Sequence, residues 1–390
     1  MLVGATPEKG LWRAPHLPLF LLAAVWAALV PLVWLFPGLS DDPVGWHRQE
    51  LILGFAGAAM GGYLLSALPH WLKQAGHADG RQLPRKRALQ SLVLAWIAGR
   101  LAVMQPGTDA ITLCGIGLFP LGLSASLLIP IVSARLWRRL PIALAPVGLL
   151  IVGLDLRLTG DGLTAALAIA LLVAVVGGRI VPAFLAARAG HMAPQRRMPL
   201  PLGGRLADVI LALALATHLS GIPERVTGWF LLGASAGQAA RMVRWPLSGG
   251  LAGRQFDLSM LVIAWLWLPA GLALTGLLLA FPGAFTGHSL PTVLHAVTMG
   301  LLGGMILAVM ARASMRRAPG VLLAGAGHRI AFALVMLSTL LRLALSGLPG
   351  ALAIPTLFWC LGWAVFCGCA IGALRRPVPH PVLSAARGPR

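Results

Sequence analysis

The sequence WHRQELILGFAGAAMGGYLLSALPHW, residues 46–71, decides the fold class of this chain. From Leu51 to Pro69 it carries no charged side chain, and at about 1.5 Å per helical residue that length crosses the apolar core of a bilayer. A tryptophan lies at each end, where amphipathic rings favour the lipid–water interface. The stretch is therefore predicted to be a transmembrane helix, Leu51–Pro69, with polar residues 47–50 at its mouth.

One face of this helix is made of small residues. Gly54, Gly57 and Gly61 recur at three- and four-residue spacing, and Gly57 and Gly61 form a GxxxG pair that lets another helix approach closely. The same gap would also admit a flat ligand. The sequence leaves both interpretations open.

The composition extends the membrane interpretation to the whole chain. Of 390 residues, 58% are hydrophobic and 11% charged, and the mean hydropathy is +0.84. Apolar runs of about 18 residues or more recur from end to end. The sequence thus predicts an all-α, polytopic membrane helix bundle that forms a single transmembrane domain over residues 1–390, with no separate soluble domain. About twelve spans are predicted, at Leu17–Phe36, Leu51–Pro69, Ala88–Met104, Ile111–Ser133, Pro141–Leu156, Leu163–Leu185, Leu206–Leu219, Val226–Ala240, Leu258–Phe281, Pro291–Ala311, Ile330–Ser346 and Ala351–Leu374.

The basic residues predict the orientation. Twenty-five of the 31 Lys and Arg residues fall in alternate loops and the termini, whereas three fall in the other loops and three within spans. Since cytoplasmic loops are enriched in Lys and Arg, both termini are expected on the cytoplasmic side of a bacterial inner membrane. A nucleic-acid partner is not expected despite the net charge of +20, because these charges are spread over short loops. Membrane lipid is the expected partner.

Four histidines fall on the predicted outer side, and they are the candidate metal ligands: His47, His218, His288 and His295. Neutral imidazole binds haem iron or copper, so a meeting of these rings would make a redox site. The alternative for each histidine is a polar residue at the membrane interface.

Other polar and small residues are expected to support such a site. Glu50, Arg100 and Arg342 lie at the same predicted depth. Each arginine either serves the site, donates hydrogen bonds to backbone carbonyls, or pairs with Glu50 or Asp155. Arg179 and Arg312 lie toward cytoplasmic ends, where snorkelling to the interface explains them. A second small-residue face in the tenth span consists of Gly300, Gly303 and Gly304.

Four blocks of the sequence, in family order, resemble the NnrS family of bacterial membrane proteins. They are WHRQE, GFAG and PHW within residues 46–71, AGR at 98–100, VGGRIVPAF at 176–184, and HAVTMG, GGMI and MARAS within 295–314. The last block is the most specific. The resemblance implies an integral membrane protein that contains haem and copper, acts in the response to nitric oxide, and meets nitric oxide or a nitrosyl ligand as its small-molecule partner.

The chain departs from the family pattern at several histidine positions. Gln49 stands where the family has a second histidine, and His70 stands where it has asparagine. No histidine occurs between Ser259 and Trp265, and Arg316 or a neighbour replaces another. Because glutamine is a poor metal ligand, fewer imidazoles are expected here than in the family.

Two other functions remain open at this stage. About twelve spans with Gly- and Pro-broken helices also fit a secondary transporter of a small solute or ion, although no clear repeat of halves is visible. A passive protein that assembles with an unidentified partner is the third possibility. No nucleophile–base, paired-carboxylate or phosphate-loop constellation is present, so an enzyme is not expected.

Overall fold

The computed structural model describes residues 10–36, 38–76, 86–105, 107–189, 202–245, 255–283, 287–348, 350–378 and 382–383. The structure is 82% helical, which confirms the predicted all-α class. By its contacts the chain divides into two compact units, residues 1–160 with 363–382 and residues 161–362 with 383–390. The expectation of a single domain stays a prediction.

The first unit is built from seven α-helices and the end of an eighth. They are α1 (His16–Leu29), α2 (Pro43–Gln49), α3 (Gly57–Gln74), α4 (Lys86–Val103), α5 (Ala110–Ser133), α6 (Leu140–Ala143), α7 (Ala145–Thr159) and the last half of α15, which spans Ala353–Leu374. Short 3-10 helices lie at Leu11–Arg13, Val30–Trp34 and Trp137–Arg139. A π-helix, Glu50–Ala56, joins α2 to α3 without a break.

The second unit contains the remaining helices and a hairpin. They are α8 (Gly162–Ala189), α9 (Leu202–Leu219), α10 (Glu224–Val243), α11 (Phe256–Ala280), α12 (Leu290–His295), α13 (Gly304–Ser314), α14 (Ala326–Ala344) and the first half of α15. A second π-helix, Ala296–Gly303, joins α12 to α13. Strands β1 (Arg316–Ala318) and β2 (Val321–Leu323) pair antiparallel between α13 and α14.

All twelve predicted spans coincide with helical segments when adjoining helical turns are counted together. Within the described ranges, nine helical segments are long and apolar enough to cross a membrane, and α4, α9 and α10 are not among them. The length and hydropathy of these helices indicate a membrane protein. The number of spans and the orientation of the termini stay predictions. The longest predicted connection, 186–204, lies mostly outside the described residues.

The helix that contains the second predicted span begins before the span itself. It runs from Pro43 to Gln74, so Leu51, where the predicted span begins, lies eight residues after the start of the helix. Asp42 caps the helix by accepting a hydrogen bond from the Gly45 amide at 2.9 Å, and proline suits a first turn because it lacks an N–H group. Residues 47–50 consequently lie inside the helix and not at its mouth.

Helices α10 and α11 cross through a contact that only glycine permits. A Cβ atom on Gly228 would lie 2.6 Å from the Ala280 amide nitrogen and 2.9 Å from the Gly276 carbonyl oxygen. A Cβ on Gly276 would in turn lie 2.9 Å from the Gly228 carbonyl. Backbone atoms cannot move aside as a flexible side chain can, so this crossing fixes the separation of the two helices.

We predict that Gly228→Ala destabilises the protein by about 1–3 kcal/mol, because the added methyl forces α10 away from α11. The measurement is the thermal unfolding of the purified protein in detergent. Gly148→Ala is the matched control, since Gly148 lies in α7 and a Cβ added there would have no atom within 4 Å. The control should be neutral or stabilising by helix propensity, up to about 1 kcal/mol. Equal effects of the two substitutions would contradict the proposed crossing.

Candidate functional site

The four candidate histidines fall in different parts of the structure. His47 belongs to α2 of the first unit, whereas His218, His288 and His295 belong to the second. Within the described residues, no group of three or more His, Cys, Asp or Glu side chains is placed to hold a metal ion. The predicted meeting of the imidazole rings is therefore not confirmed, and each histidine is considered by its own contacts.

His295 is oriented by a backbone carbonyl. Its Nδ1 lies 2.6 Å from the carbonyl oxygen of Pro291, one helical turn earlier. A carbonyl only accepts hydrogen bonds, so Nδ1 carries the proton and donates it, and the lone pair of the neutral ring lies on Nε2. Metal-binding histidines commonly have this arrangement, because the second hydrogen bond fixes both tautomer and ring orientation.

His47 has the opposite arrangement. The indole Nε1 of Trp34 lies 3.4 Å from His47 Nδ1, with the two rings packed edge to face at 5.5 Å. Since an indole N–H can only donate, Nδ1 of His47 accepts and its lone pair is engaged. The proton of the neutral ring is then on Nε2. His47 would have to break this contact or change tautomer before it could bind a metal.

His218 is held by a carboxylate at the end of α9. Its Nε2 lies 2.8 Å from Asp161, which also caps α8 by accepting hydrogen bonds from the amides of Leu163 and Thr164 and from the Thr164 hydroxyl. Partial burial of Asp161 opposes ionisation, but the hydrogen bonds from Thr164, His218 and Leu163 outweigh it and lower the pKa of the carboxyl. His218 thereby joins the last turn of α9 to the first turn of α8. His288 lies exposed just before α12.

Glu50 and Arg100 form a buried ion pair in the first unit. Arg100 Nη1 lies 2.6 Å from Glu50 Oε2, and the indole of Trp26 donates to the same oxygen at 2.5 Å. Glu50 is fully buried at the first position of the π-helix, and Arg100 is 5% exposed. This result confirms the alternative in which Arg100 pairs with Glu50.

Two tryptophan side chains, Trp26 and Trp96, pack against the π-helix that begins at Glu50. Trp96 donates to the carbonyl of Gly54 at 2.9 Å, and a Cβ on Gly54 would lie 2.6 Å from Trp26. Among the described residues, Glu50 Oε1 and Arg100 Nε are buried without a hydrogen-bond partner. A π-helix is rare and often occurs at functional sites, and in this unit the buried Glu50–Arg100 pair lies on one.

The snorkelling interpretation of Arg312 is wrong. Its side chain is 4% exposed and pairs with Asp257 of α11, while its Nε donates to the Leu383 carbonyl at 3.0 Å. Its guanidinium also lies over the Phe184 ring, 4.1 Å from the centroid. The nearby carboxylate makes burial of Arg312 tolerable, whereas Arg179 is exposed on α8.

Arg342 differs from the two paired arginines. It lies half-buried in the last turn of α14. Among the described residues it has no hydrogen bond and no ion pair.

A buried network in the second unit escapes the sequence analysis. Arg241 pairs with Asp208 at 3.1 Å and donates to the Gly178 carbonyl at 2.8 Å, while Gln238 donates to the same Asp208 at 2.9 Å. A Cβ on Gly178 would collide with the guanidinium group, so Arg241 could keep this position only with glycine there. The sequence contains one sign of this network, the carboxylate of Asp208 inside the seventh predicted span. A charged group within a span is usually paired with an opposite charge.

Most of the candidate glycines pack against side chains of neighbouring helices. In the first unit, a Cβ on Gly61 would lie 3.2 Å from Phe119, whereas Gly57 has only ordinary contacts, at 3.6 Å or more. In the second unit, Trp267 covers Gly300, Trp359 covers Gly303 and Met336 covers Gly304. These contacts favour helix packing over clearance for a flat ligand.

A protein-family model described as NnrS protein matches residues 10–377 of the chain. No curated protein matches the sequence.

We predict that Arg100→Met destabilises the first unit by about 3–5 kcal/mol, since it leaves the Glu50 carboxylate buried without its counter-charge. The double variant Glu50→Met with Arg100→Met should recover most of this loss, because it removes both charges and leaves apolar side chains. Thermal unfolding in detergent of the wild type, both single variants and the double variant measures the coupling. Additive losses would contradict a direct pair.

Asp161→Ala should lower the free energy of unfolding near neutral pH by about 1 kcal/mol, through the loss of the helix cap and the His218 contact. The folded-state pKa of Asp161 is depressed, so its contribution is present above the unfolded pKa of about 3.9 and is lost as the pH falls through the folded value. The difference in the free energy of unfolding between the wild type and Asp161→Ala should therefore become smaller only below about pH 4. Thermal unfolding over a pH series measures it, and a difference that first disappears between about pH 6 and 7 would contradict this carboxylate origin.

Proposed function

The chain belongs to the NnrS family, and from this premise we propose that it is an integral protein of the bacterial inner membrane that binds haem and takes part in the response to nitric oxide. The family model extends over residues 10–377, and nine helical segments within the described ranges are apolar enough to cross a bilayer. Family membership and a membrane-type helical structure together support this assignment.

The observation that carries haem binding is the state of His295. Its Nδ1–H is fixed on the Pro291 carbonyl at 2.6 Å, which puts the lone pair on Nε2. The ring lies where α12 passes into the second π-helix, inside the block of sequence that most specifically resembles the family. Of the four candidate histidines, His295 is therefore the one that would hold a haem, through Nε2. The haem would supply an iron that binds nitric oxide.

The residues fit haem better than copper. One oriented imidazole is sufficient for a haem ligand in many proteins, whereas copper sites usually combine several His, Cys or Met donors. Within the described residues, no three or more His, Cys, Asp or Glu side chains lie together in this way; methionine donors are not part of that comparison. Copper remains an expectation from the family, and no role in this proposal is derived from it.

The other histidines are given different roles. His218 is engaged with Asp161, and we assign it to holding α8 and α9 together. His47 accepts from Trp34 and would need to change tautomer to bind a metal. His288 is exposed in the segment before α12. None of the three has the orientation of His295.

A secondary transporter is the second candidate. It is favoured by the two membrane-length segments, Pro43–Gln74 and Leu290–Ser314, that change from α-helix to π-helix within the span. Interrupted helices of this kind form substrate sites in transporters. Uptake of a solute or proton by proteoliposomes that contain the purified protein would support this function.

We predict that the purified protein shows a Soret absorption band that shifts on addition of nitric oxide, and that His295→Ala loses both. The reason is the loss of the imidazole that is proposed to hold the haem. Absorption spectra in detergent, with haem content per protein, provide the measurement. Absence of a Soret band from the wild type after expression with added haem would contradict the proposal that the protein binds haem.

The matched control for this experiment is His70→Ala. His70 is exposed in α3 and contacts Gln74, and it belongs to the opposite membrane side in the predicted topology. Its replacement should leave the band unchanged. If His295→Ala elutes as a monodisperse protein and keeps the full band, then His295 is not the ligand.

A further inference from the structure

Each unit contains one interrupted helix that begins with the same pattern. In the first unit the pattern is Pro43, His47 and Glu50, and in the second it is Pro291, His295 and Thr298, with identical spacing of four and then three residues. Both patterns start a short α-helix that continues as a π-helix. Such a change of helix type is rare, and within the described residues it occurs at these two places.

The surroundings of the two helices are similar in kind, although the covered glycines lie at different distances from the histidine: seven and fourteen residues after His47, and five and eight residues after His295. In each unit, a tryptophan of the preceding long helix covers a glycine of the π-helix: Trp26 covers Gly54, and Trp267 covers Gly300. In each unit, an aromatic residue of a later helix covers a second glycine, with Phe119 against Gly61 and Trp359 against Gly303. The helix that follows has an arginine in its last turn in both units, Arg100 in α4 and Arg342 in α14.

The two motifs differ at the acidic position. Glu50 supplies the carboxylate that pairs with Arg100 at 2.6 Å in the first unit. The corresponding residue in the second unit is Thr298, whose hydroxyl donates to the Leu294 carbonyl at 3.2 Å. After Asp257 the sequence contains no Asp or Glu at all, so no acidic residue of this stretch can replace Glu50.

Arg342 is therefore a cation on a helix of membrane-spanning length, and the described residues supply no counter-charge to it. It is half-buried, and among the described residues it has neither a hydrogen bond nor an ion pair. The other acidic residues of the second unit that form ion pairs are committed elsewhere, Asp161 to His218, Asp208 to Arg241 and Asp257 to Arg312. A guanidinium group in this position is stabilised by an anionic oxygen ligand, which it can bind through two parallel N–H groups.

We propose that Arg342 binds an anionic oxygen group, a small oxyanion or a phosphate, in the role that the Glu50 carboxylate fills in the first unit. Packing of α12 and the second π-helix against α14 places the arginine-bearing helix beside the Thr298 helix, as α4 lies beside the first π-helix. The inference goes beyond the proposed haem function, and it has a readout that does not depend on haem. A dissolved oxyanion and a lipid headgroup present the same chemistry to a guanidinium group.

The test compares wild type, Arg342→Gln and Arg225→Gln in nanodiscs, with thermal unfolding as the readout. Arg225 is the matched control, since it is an exposed arginine on the same predicted side of the membrane. In zwitterionic nanodiscs, nitrite or inorganic phosphate at constant ionic strength should raise the unfolding midpoint of the wild type and of Arg225→Gln. For Arg342→Gln the apparent affinity should fall about tenfold or more, because charge-assisted hydrogen bonds are lost.

A second arm replaces the dissolved ions with nanodiscs that contain phosphatidylglycerol. An Arg342-dependent rise of the midpoint in this arm alone would support the proposal and identify the ligand as a lipid phosphate. Equal responses of wild type and Arg342→Gln in both arms would overturn it.

Thr298→Glu provides a variant in the opposite direction. It restores the acidic residue of the pattern, so it should raise the midpoint in the absence of anions and abolish the Arg342-dependent response. Thr298→Gln has nearly the same shape without the charge and should keep that response. A folded Thr298→Glu protein with the full anion response would contradict the correspondence between Thr298 and Glu50.

Discussion

The cost of placing charge in an apolar surrounding governs much of this structure. Among the described residues, three buried arginines each have a carboxylate: Arg100 with Glu50, Arg241 with Asp208, and Arg312 with Asp257. Each pair joins helices that are separate in sequence, and removing one partner would leave a charge that neither lipid nor the core can solvate. These pairs use three of the eleven acidic residues in the chain. The pairs therefore specify which helices pack together, in a medium where apolar contact alone discriminates poorly.

The helices are predictable from the sequence because the signal for them is local. Hydropathy over some twenty residues depends only on neighbours along the chain, and every predicted span coincides with a helical segment. Partners are not predictable in the same way. Arg312 lies near a helix end, where the sequence alone favours snorkelling to the interface. Asp257 comes beside it only because α13 packs against α11. Arg241 falls in a predicted loop, just beyond the eighth predicted span, although its guanidinium is buried between α8, α9 and α10.

The two π-helices illustrate a further limit of sequence analysis. Nothing in the hydrophobic period distinguishes Glu50–Ala56 or Ala296–Gly303 from ordinary α-helix, because nearly every residue of both segments is apolar or small and no polar face marks the period. Their glycines are visible in the sequence, but the interpretation of those glycines requires the neighbouring aromatic rings. Trp267 and Trp359 occupy the spaces that Gly300 and Gly303 leave, so the small residues serve tight packing. The sequence thus locates these segments correctly and cannot assign their purpose.

Which histidine can bind a metal is decided by the atom that faces its other nitrogen. His47 and His295 occupy the same place in a repeated pattern, yet Trp34 donates to Nδ1 of the former and the Pro291 carbonyl accepts from Nδ1 of the latter. A donor at Nδ1 uses the lone pair there and puts the proton on Nε2, whereas an acceptor at Nδ1 leaves the lone pair on Nε2. Two imidazoles at the same position of the Pro–His pattern therefore favour different tautomers, with the proton on Nε2 in His47 and on Nδ1 in His295. The neighbouring donor or acceptor, which the hydropathy of the sequence does not show, sets this difference.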